Sequence, residues 1–330
     1  MKAMILAAGF GTRLFPLTID RTKPAIPFLG KPLVGYVAEY VAKFGFLEVV
    51  VNLHHQPESV KKALGDGTDF GVKIHYTLEE PKILGTAGAL DNARNLLEDE
   101  TFLIVNGKII TDIDISQALE THRREKALAT MVLIPNTKRE RFTIVETENN
   151  LVTGFGDFPE IHHSALGTQN LPLMFTGIHI LEPRVFDYIP RGVYSDIVPT
   201  FYNPAIKKGE KIVAHIADGN WFELSTIPRY LDISLAMLDG QREKIVKGAN
   251  VKISDSATVK DSVIWDDVSI AESARISRVI IGDGVKISEG EKFENVAIVR
   301  ADMLAHCTEI PEKALKGEVV GENYVVPFNQ

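Results

Sequence analysis

The chain has 330 residues, of which 45% are hydrophobic and 24% charged, with a formal net charge of −8 and a single cysteine. This length exceeds that of most single domains, so we expect two folded units. The composition excludes a disordered chain and a disulfide scaffold. The acidic balance argues against general nucleic-acid binding, and no apolar stretch is long enough for a membrane helix. We therefore expect a cytoplasmic protein.

Strands and helices alternate along the first 240 residues. Strands are predicted at 3–7, 48–53, 72–78, 102–106, 127–134 and 175–181, and helices at 33–44, 57–64, 86–97, 183–188 and 228–238. Residues 154–168 read as a loop. This alternation predicts an α/β fold for residues 1–240, namely a Rossmann-like, mostly parallel sheet with helices on both faces.

Apolar residues recur near every sixth position from Val251 onward, with occasional steps of five. A hexapeptide period is typical of a parallel β-helix, in which each coil buries the apolar edge of the next. We expect such a domain over residues 250–300, and a plain run of hairpins is the alternative. Residues 301–330 show no period and are expected to pack as a tail on the β-helix or on a neighbour.

A glycine-rich turn follows the first predicted strand. Gly9 and Gly11 lack Cβ atoms, so the backbone there can approach a phosphate and direct its N–H groups at it. Arg13 offers a planar fork suited to phosphate oxygens. Residues 1–31 carry five basic side chains and one acidic one, which suits a small polyanion. A dinucleotide fingerprint would need a third glycine where this chain has Leu14, which disfavours a dehydrogenase.

Three strings together resemble the signature of the sugar-1-phosphate nucleotidyltransferases, most closely the bacterial mannose-1-phosphate guanylyltransferase branch. The first runs from Ala7 to Leu33, the second from Glu79 to Leu90, and the third from Phe175 to Ile180. The resemblance covers residues 3–238 and implies the reaction of a nucleoside triphosphate with a sugar 1-phosphate, which releases pyrophosphate. Many members of this family also carry a C-terminal left-handed β-helix, as the hexads here suggest.

The resemblance also implies roles for individual residues. Arg13 and Lys23 would be catalytic, because they would stabilise the pyrophosphate and the phosphates at the reacting centre. The residues expected to bind the nucleotide are Leu6, Ala7, Ala8, Gly9, Gly11, Thr12, Arg13, Gly85, Thr86 and Asn106. The residues expected to bind the sugar phosphate are Gly88, Thr143, Thr176 and Gly177.

The sequence departs from the family at both positions that usually hold Mg²⁺. An Asn-Gly-Asp is here Asn106-Gly107-Lys108, and the aspartate of a later Trp-x-Asp string is here Glu223. On the sugar side, a usual Tyr-Gly is Phe142-Thr143, which adds bulk, and a usual Glu-Lys-Pro is replaced at residues 156–159. Mg²⁺ is thus expected from the family and doubtful from these residues.

Three interpretations of Lys108 remain open. Catalysis could be lost while the fold is kept, because a lost divalent cation forfeits several kcal/mol of transition-state stabilisation. The ammonium group could instead replace part of the metal charge, and we predict that it pairs with Glu223. Finally, Asp112 or Asp114 could supply the missing carboxylate, although both read more readily as helix-capping or surface acids.

Two functions outside the family reaction are considered. The chain could be a non-catalytic protein that binds a nucleotide sugar or a sugar phosphate and regulates an active homologue by pairing with it. It could also be a hexapeptide acyltransferase, but such enzymes need more coils and a histidine within them, and His306 lies beyond the repeats. The β-helix offers an edge for stacking, so we expect a homo-oligomer or a hetero-oligomer with an active homologue.

Overall fold

A computed structural model describes residues 1–137, 142–156, 171–238, 244–307 and 309–328. Its α-helices are α1 (Leu33–Lys43), α2 (Pro57–Leu64), α3 (Gly85–Asn92), α4 (Arg94–Leu97), α5 (Ile115–Glu125), α6 (Asn203–Lys207) and α7 (Ile227–Ala236). No helix in these ranges is both long and apolar enough to cross a membrane.

The strands fall into two sets along the chain. Those of the first set are β1 (Ala3–Leu6), β2 (Pro27–Phe28), β3 (Lys31–Pro32), β4 (Glu48–Leu53), β5 (Lys73–Leu78), β6 (Phe102–Asn106), β7 (Ile109–Thr111), β8 (Ala129–Pro135), β9 (Ile144–Glu148), β10 (Leu151–Gly156), β11 (Leu173–Leu181), β12 (Ile212–Ile216) and β13 (Trp221–Glu223). Those of the second set are β14 (Ile245–Lys247), β15 (Lys252–Ile253), β16 (Thr258–Lys260), β17 (Ser262–Ile264), β18 (Ser269–Ile270), β19 (Arg275–Ile281), β20 (Lys286–Ile287), β21 (Lys292–Arg300), β22 (Glu318–Val320) and β23 (Asn323–Pro327).

Contacts between residues group the chain into two units, each built from separate stretches. Unit 1 comprises Met1–Ala8, Val37–His54 and Leu64–Trp221, and unit 2 comprises Gly9–Tyr36, His55–Ala63 and Phe222–Gln330. The glycine-rich turn is thus grouped with the C-terminal part of the chain, which no linear division would show. The domain boundaries expected from the sequence stay a prediction.

Unit 1 is built on a nine-stranded sheet in the order β5-β4-β1-β6-β11-β8-β12-β10-β9. The first four strands are parallel, and β1 pairs with β4 on one side and β6 on the other. β1, β4 and β6 are continuous apolar runs, as expected for strands covered on both faces. Because Leu6 is in register with Asn106, the carboxyl ends of β1 and β6 lie side by side.

The predicted α/β class is confirmed, and several strands and helices match their expected positions closely. The sheet also contains an antiparallel strand, since β11 runs opposite to both β6 and β8. Residues 183–187 form a 3₁₀ helix instead of an α-helix. The helix predicted at 86–97 is interrupted at Ala93 and forms α3 and α4. The predicted loop at 154–168 begins as the end of β10, and its remainder lies outside the described residues.

Unit 2 contains the β-helix, whose coils repeat every 17 residues. The spacing appears in hydrogen bonds such as that from the Val279 N–H to the Ser262 Oγ, which joins residues 17 apart. It also sets the parallel registers, in which Ile264 pairs with Ile281 and Ile281 with Ile298. A coil of 17 residues is two steps of six and one of five. The steps of five in the sequence are therefore a regular feature of each coil.

The corners of the coils repeat with the same spacing. Asp261, Arg278 and Asn295 all have positive φ angles, of 45°, 56° and 54°. Asn and Asp tolerate this left-handed conformation better than most residues. Arg278 is the exception, and its side chain is fixed by hydrogen bonds to Asn295 and Asp232.

The C-terminal tail closes the last coil. β23 pairs antiparallel with β21, and β22 pairs with the other edge of β23. An unpaired strand edge invites association with other chains, so this pairing protects the end of the β-helix.

We predict that Ile281→Ala destabilises unit 2 by about 2–5 kcal/mol, because it leaves a cavity between the aligned side chains of Ile264 and Ile298. All three isoleucines are at most 1% exposed. The midpoint of denaturant unfolding, followed by circular dichroism, measures the change. Lys286→Ala on the exposed side of β20 is the control, and an equal effect of the two substitutions would contradict the aligned core.

Candidate functional site

The structure describes every residue singled out from the sequence as a site residue, and it divides them between the two units. Unit 1 carries Leu6, Ala7, Ala8, Gly85, Thr86, Gly88, Asn106, Lys108, Asp112, Thr143, Thr176 and Gly177. Unit 2 carries Gly9, Gly11, Thr12, Arg13, Lys23 and Glu223. The geometry of each set is described separately below.

In unit 2, the glycine-rich turn packs tightly against Lys23. Gly11 has a φ of +68°, and a Cβ there would lie 3.1 Å from the Cβ of Lys23 and 3.3 Å from its backbone nitrogen. Gly9 has open space around it, so its backbone is accessible to a ligand. Arg13 is exposed within the short 3₁₀ turn Thr12–Leu14. The two expected catalytic cations thus belong to one locally ordered segment.

The segment around Lys23 is anchored by Thr22. The Thr22 N–H donates to the Ser59 Oγ at 3.1 Å, and Lys23 then begins the 3₁₀ turn Lys23–Ala25. Pro24 at the second position of this turn has its φ already fixed near the helical value. The backbone that carries Lys23 is therefore held from both sides.

In unit 1, a buried carboxylate fixes the backbone after β1. Asn52 accepts a hydrogen bond from the Ala7 N–H at 2.8 Å and donates to the Glu79 Oε1 at 2.6 Å. The other oxygen of Glu79 accepts from the Leu84 N–H at 2.6 Å. Glu79 and Asn52 are 1% and 3% exposed. The role of Asn52 was not predicted, because no motif marks it.

The start of α3 is bound to the segment around Ser195. The Ala87 and Gly88 N–H groups donate to the Ser195 carbonyl at 2.8 and 3.1 Å. A Cβ on Gly85 would lie 2.7 Å from that same carbonyl oxygen, and one on Gly88 would lie 2.8 Å from the Val193 carbonyl. These glycines therefore allow a close approach within the protein, and their expected contacts with ligand stay a prediction.

A cavity of about 260 Å³ opens in unit 1 where β1 and β6 end. Three residues predicted to bind nucleotide, namely Leu6, Thr86 and Asn106, line it together. Ligands of α/β proteins commonly bind beyond the carboxyl ends of the parallel strands. The structure adds His179 and Asp196 to this site, which the sequence did not indicate.

Asp196 orders the polar side of the cavity. Thr86 donates to the Asp196 Oδ1 from its backbone N–H at 3.3 Å and from its hydroxyl at 3.4 Å. The same hydroxyl accepts from the Ile197 N–H at 2.8 Å, and Asp196 also accepts from Tyr194 at 3.0 Å. This network holds the Thr86 side chain in one orientation.

His179 lines the cavity as an uncharged side chain. Burial lowers the pKa of His179 to about 3, so the imidazole carries no charge near neutral pH. Its Nδ1 is hydrogen-bonded to the Tyr202 hydroxyl at 2.5 Å, and burial raises the pKa of that tyrosine. The ring also packs edge-on against Phe175. His179 therefore shapes the cavity without adding a cation.

On β11, Gly177 and Thr176 have distinct surroundings. Gly177 has a φ of +79°, and a Cβ there would overlap the amide of Asn106. The Thr176 hydroxyl is fully buried and donates to the Val132 carbonyl at 2.7 Å. Thr143 is exposed before β9 and is not among the residues that line the cavity. The expected contacts of these residues with a sugar phosphate stay predictions.

The residues at the usual metal position do not fit a divalent cation. Mg²⁺ requires oxygen ligands, whereas the half-buried Lys108 after β6 presents an ammonium group. Both oxygens of Asp112 accept from Asn220, at 2.6 and 2.7 Å, and Asp114 caps α5 through the Ser116 N–H. Both aspartates thus make hydrogen bonds within the protein, and a role of either as a metal ligand stays a prediction. No group of three His, Cys, Asp or Glu side chains suited to a metal occurs among the described residues.

Glu223 ends β13 in unit 2 and is 6% exposed, with its backbone carbonyl accepting from the Arg229 guanidinium at 2.6 Å. Its predicted pairing with Lys108 stays a prediction.

Comparison with known proteins identifies relatives that match most of the chain. A family model described as nucleotidyl transferase matches residues 2–240, and one described as a GlmU-like C-terminal hexapeptide region matches residues 235–295. A UTP–glucose-1-phosphate uridylyltransferase of Synechocystis sp. is 32% identical over 81% of this chain and 71% of that protein. A mannose-1-phosphate guanylyltransferase 1 of Arabidopsis thaliana is 30% identical over 78% of this chain and 73% of that protein.

A solved structure shares the fold. It is that of a Bacillus anthracis protein assigned as a glucose-1-phosphate thymidylyltransferase, with a TM-score of 0.61 and 22% identity over 73% of this chain and 96% of that one. The expected resemblance and the C-terminal β-helix are confirmed. The chain therefore belongs to the nucleotidyl transferase family, and its homologues are sugar-1-phosphate nucleotidyltransferases.

Proposed function

We propose that this protein binds a nucleoside triphosphate and a sugar 1-phosphate, with GTP and mannose 1-phosphate as its preferred pair, and that it turns them over slowly. The observation that carries the proposal is the cavity at the ends of β1 and β6, which brings Leu6, Thr86 and Asn106 together. Lys108, two residues beyond Asn106, is the reason to expect slow turnover.

The reaction of the family asks the protein mainly for alignment and positive charge. A phosphate oxygen of the sugar 1-phosphate attacks the α-phosphorus, the bond to the β-phosphate oxygen breaks, and pyrophosphate leaves with the electron pair. Arg13 and Lys23 are the cations proposed to stabilise the phosphates. The Asn106 amide and the Thr86 hydroxyl are the polar groups of the cavity proposed to orient the nucleotide.

We expect slow turnover because the side chains that follow β6 are poor ligands for a metal ion. A divalent cation bound there would neutralise the triphosphate, but an ammonium at Lys108 repels such an ion. The carboxylates of Asp112 and Asp114 are engaged by Asn220 and by the start of α5. Loss of the metal ion would raise the activation barrier by several kcal/mol. Each 1.36 kcal/mol lowers the rate by a factor of about ten.

Two observations support the choice of substrates. The string from Glu79 to Leu90 has the form found in guanylyltransferases, and mannose-1-phosphate guanylyltransferases of plants, fungi and Mycobacterium tuberculosis are among the relatives. Relatives named as uridylyltransferases of glucose 1-phosphate and N-acetylmuramate 1-phosphate are somewhat more similar, at 32% identity against 28–30% for these guanylyltransferases. UTP with glucose 1-phosphate is therefore the comparison pair for every assay.

The second candidate function is a nucleotide-sugar or sugar-phosphate binding protein that regulates an active homologue. The observation that favours it is again Lys108 in place of a carboxylate, because binding needs less charge compensation than turnover does. Such a protein would form a hetero-oligomer, whereas the first proposal fits a homo-oligomer. Light scattering after size exclusion, with and without the homologue, distinguishes the two assemblies.

We predict that Lys108→Asp combined with Glu223→Asp raises the rate of pyrophosphate release at least tenfold over that of the native protein, with GTP, mannose 1-phosphate and Mg²⁺ present. The reason is that aspartate at position 108 supplies a carboxylate that lysine does not, and aspartate at position 223 shortens the existing carboxylate side chain by one methylene to the length usual in the family. Coupled detection of pyrophosphate measures both rates. Lys108→Asn combined with Glu223→Asp is the matched control, since it removes the cation without adding the first carboxylate.

The possible results separate the proposals. A native protein that turns over near the usual enzymatic rate, on the order of 10 s⁻¹, would contradict slow turnover. If neither the native protein nor the double variant reacts with either substrate pair, the proposed substrates are wrong.

We predict that Gly177→Ala weakens nucleotide binding at least tenfold, because the new Cβ displaces the Asn106 amide from the cavity wall. Gly209→Ala is the matched control, since Gly209 has a φ of +75° and open space around it. Both substitutions place alanine at a similar positive φ angle, so they carry the same conformational free-energy cost. Only Gly177→Ala adds a collision with the Asn106 amide. Calorimetric titration with GTP measures the affinities, and equal affinities for the two variants would rule out a binding role for Asn106.

A further inference from the structure

Unit 2 contains a cleft of about 410 Å³ whose lining includes none of the residues assigned above to nucleotide or sugar binding. Its floor includes Trp265, Tyr230 and Pro27, and its rim includes Lys31, Lys62 and Lys247. We call it the Trp265 cleft. Its volume falls at the lower end of the range for small-molecule sites, which suits a ligand smaller than a dinucleotide.

The floor of the Trp265 cleft is rigid. The Trp265 Nε1 donates to the Tyr230 hydroxyl at 3.0 Å, and that hydroxyl donates to the Pro27 carbonyl at 2.6 Å. The Arg21 guanidinium lies 5.0 Å from the centre of the Trp265 ring. With their polar atoms already bonded, these residues offer a preformed surface to a carbon skeleton.

The acidic residues of the cleft are engaged inside the protein. Arg21 pairs with Asp20 at 2.9 Å and with Asp283 at 2.5 Å. Asp283 also accepts from the Asp266 N–H at 3.0 Å, and Asp266 accepts from the Ala249 N–H at 2.7 Å. Arg21 offsets one of these three negative charges, and with the lysines of the rim the lining of the cleft carries four basic and three acidic side chains.

The rim carries three exposed lysines, which come from separate parts of the chain and line the same cleft. Lys31 is on β3, Lys62 is in the last turn of α2, and Lys247 ends β14. The Lys31 ammonium lies 5.3 Å from the centre of the Tyr36 ring. These ammonium groups lie on the exposed rim, whereas the carboxylates of the cleft are hydrogen-bonded within the protein, so the rim favours a compact anion such as a phosphate ester.

We propose that the Trp265 cleft binds a phosphorylated metabolite of about the size of a hexose phosphate. Its phosphate contacts Lys31, Lys62 and Lys247, and its carbon skeleton lies on the floor. This site goes beyond the proposed function, because it involves none of the residues of that reaction.

The cleft is connected to the segment that carries Lys23. Ser59 lines the cleft, and its hydroxyl accepts from the N–H of Thr22, the residue before Lys23. Arg21 and Ala25, which flank Thr22 and Lys23, also line the cleft. A ligand that shifts Ser59 or Arg21 therefore acts on the backbone of Lys23, which gives the site the character of an effector site.

The chain has two tryptophans, so Trp221→Phe leaves Trp265 as the sole tryptophan, whose emission is excited at wavelengths that tyrosine does not absorb. This variant is titrated with glucose 6-phosphate, which carries no anomeric phosphate, and separately with inorganic phosphate. We expect a saturable change in fluorescence with glucose 6-phosphate and weaker binding of inorganic phosphate, which cannot contact the floor. Calorimetry on the native chain gives the same affinities without the substitution.

Charge-matched variants test the rim. Lys62→Gln and Lys247→Gln should each weaken glucose 6-phosphate binding roughly two- to fivefold, as expected for exposed ion pairs. Lys61→Gln should leave it unchanged, because Lys61 pairs with Glu58 at 2.8 Å and does not line the cleft. Lys252→Gln is the corresponding control for Lys247.

Three results would overturn the proposal. The first is the absence of saturable binding at millimolar glucose 6-phosphate. The second is equal weakening by Lys61→Gln and Lys62→Gln. The third is equal affinity for glucose 6-phosphate and inorganic phosphate, which would leave no role for the floor. All three readouts measure binding of a molecule that is not a sugar 1-phosphate, so they are independent of the turnover proposed for the protein.

Discussion

The site in unit 1 depends on strands whose backbones lie too close to their neighbours for a side chain to fit between them. A Cβ on Gly107 would lie 2.9 Å from the Leu6 carbonyl oxygen, and one on Gly177 would overlap the Asn106 amide. Glycine at these two positions lets β1, β6 and β11 come together at their ends. The positions of Asn106 and Lys108 are therefore set by the packing of the backbone. A change of charge at Lys108 leaves this packing in place, so the family fold can persist while the chemistry changes.

A second constraint is the buried carboxylate of Glu79. Its two oxygens accept from the Asn52 amide and the Leu84 N–H, and Asn52 in turn accepts from Ala7. Breaking either hydrogen bond would leave a buried oxygen atom without that partner, which costs desolvation free energy. The network connects the end of β1 to the loop before α3. Part of the string from Glu79 to Leu90 is thus recognisable because the fold needs it.

The features predicted from the sequence are those with a local signal. Apolar runs and helical spacing located β1, β4, β6 and α2, and the steps of six and five located the coils of the β-helix. Chain direction has no local signal, which is why the antiparallel course of β11 was not foreseen. His179 and Asp196 were missed for a related reason. Both reach the cavity through long-range packing. His179 stands within the string from Phe175 to Ile180 but is not one of the residues to which the resemblance gives a role, and Asp196 stands in none of the three strings.

The replacement at Lys108 changes the kind of group that follows β6. Lysine supplies a compact cation, whereas a carboxylate there would supply oxygen ligands to a divalent cation. Attraction of an anionic substrate depends mainly on the net charge over several ångströms. Catalysis of phosphoryl transfer depends also on an ion that contacts two oxygens at once, which one ammonium group cannot reproduce. A cation at Lys108 is thus compatible with the proposed binding and with the proposed reduction of turnover, and this difference links the two functions considered for the protein.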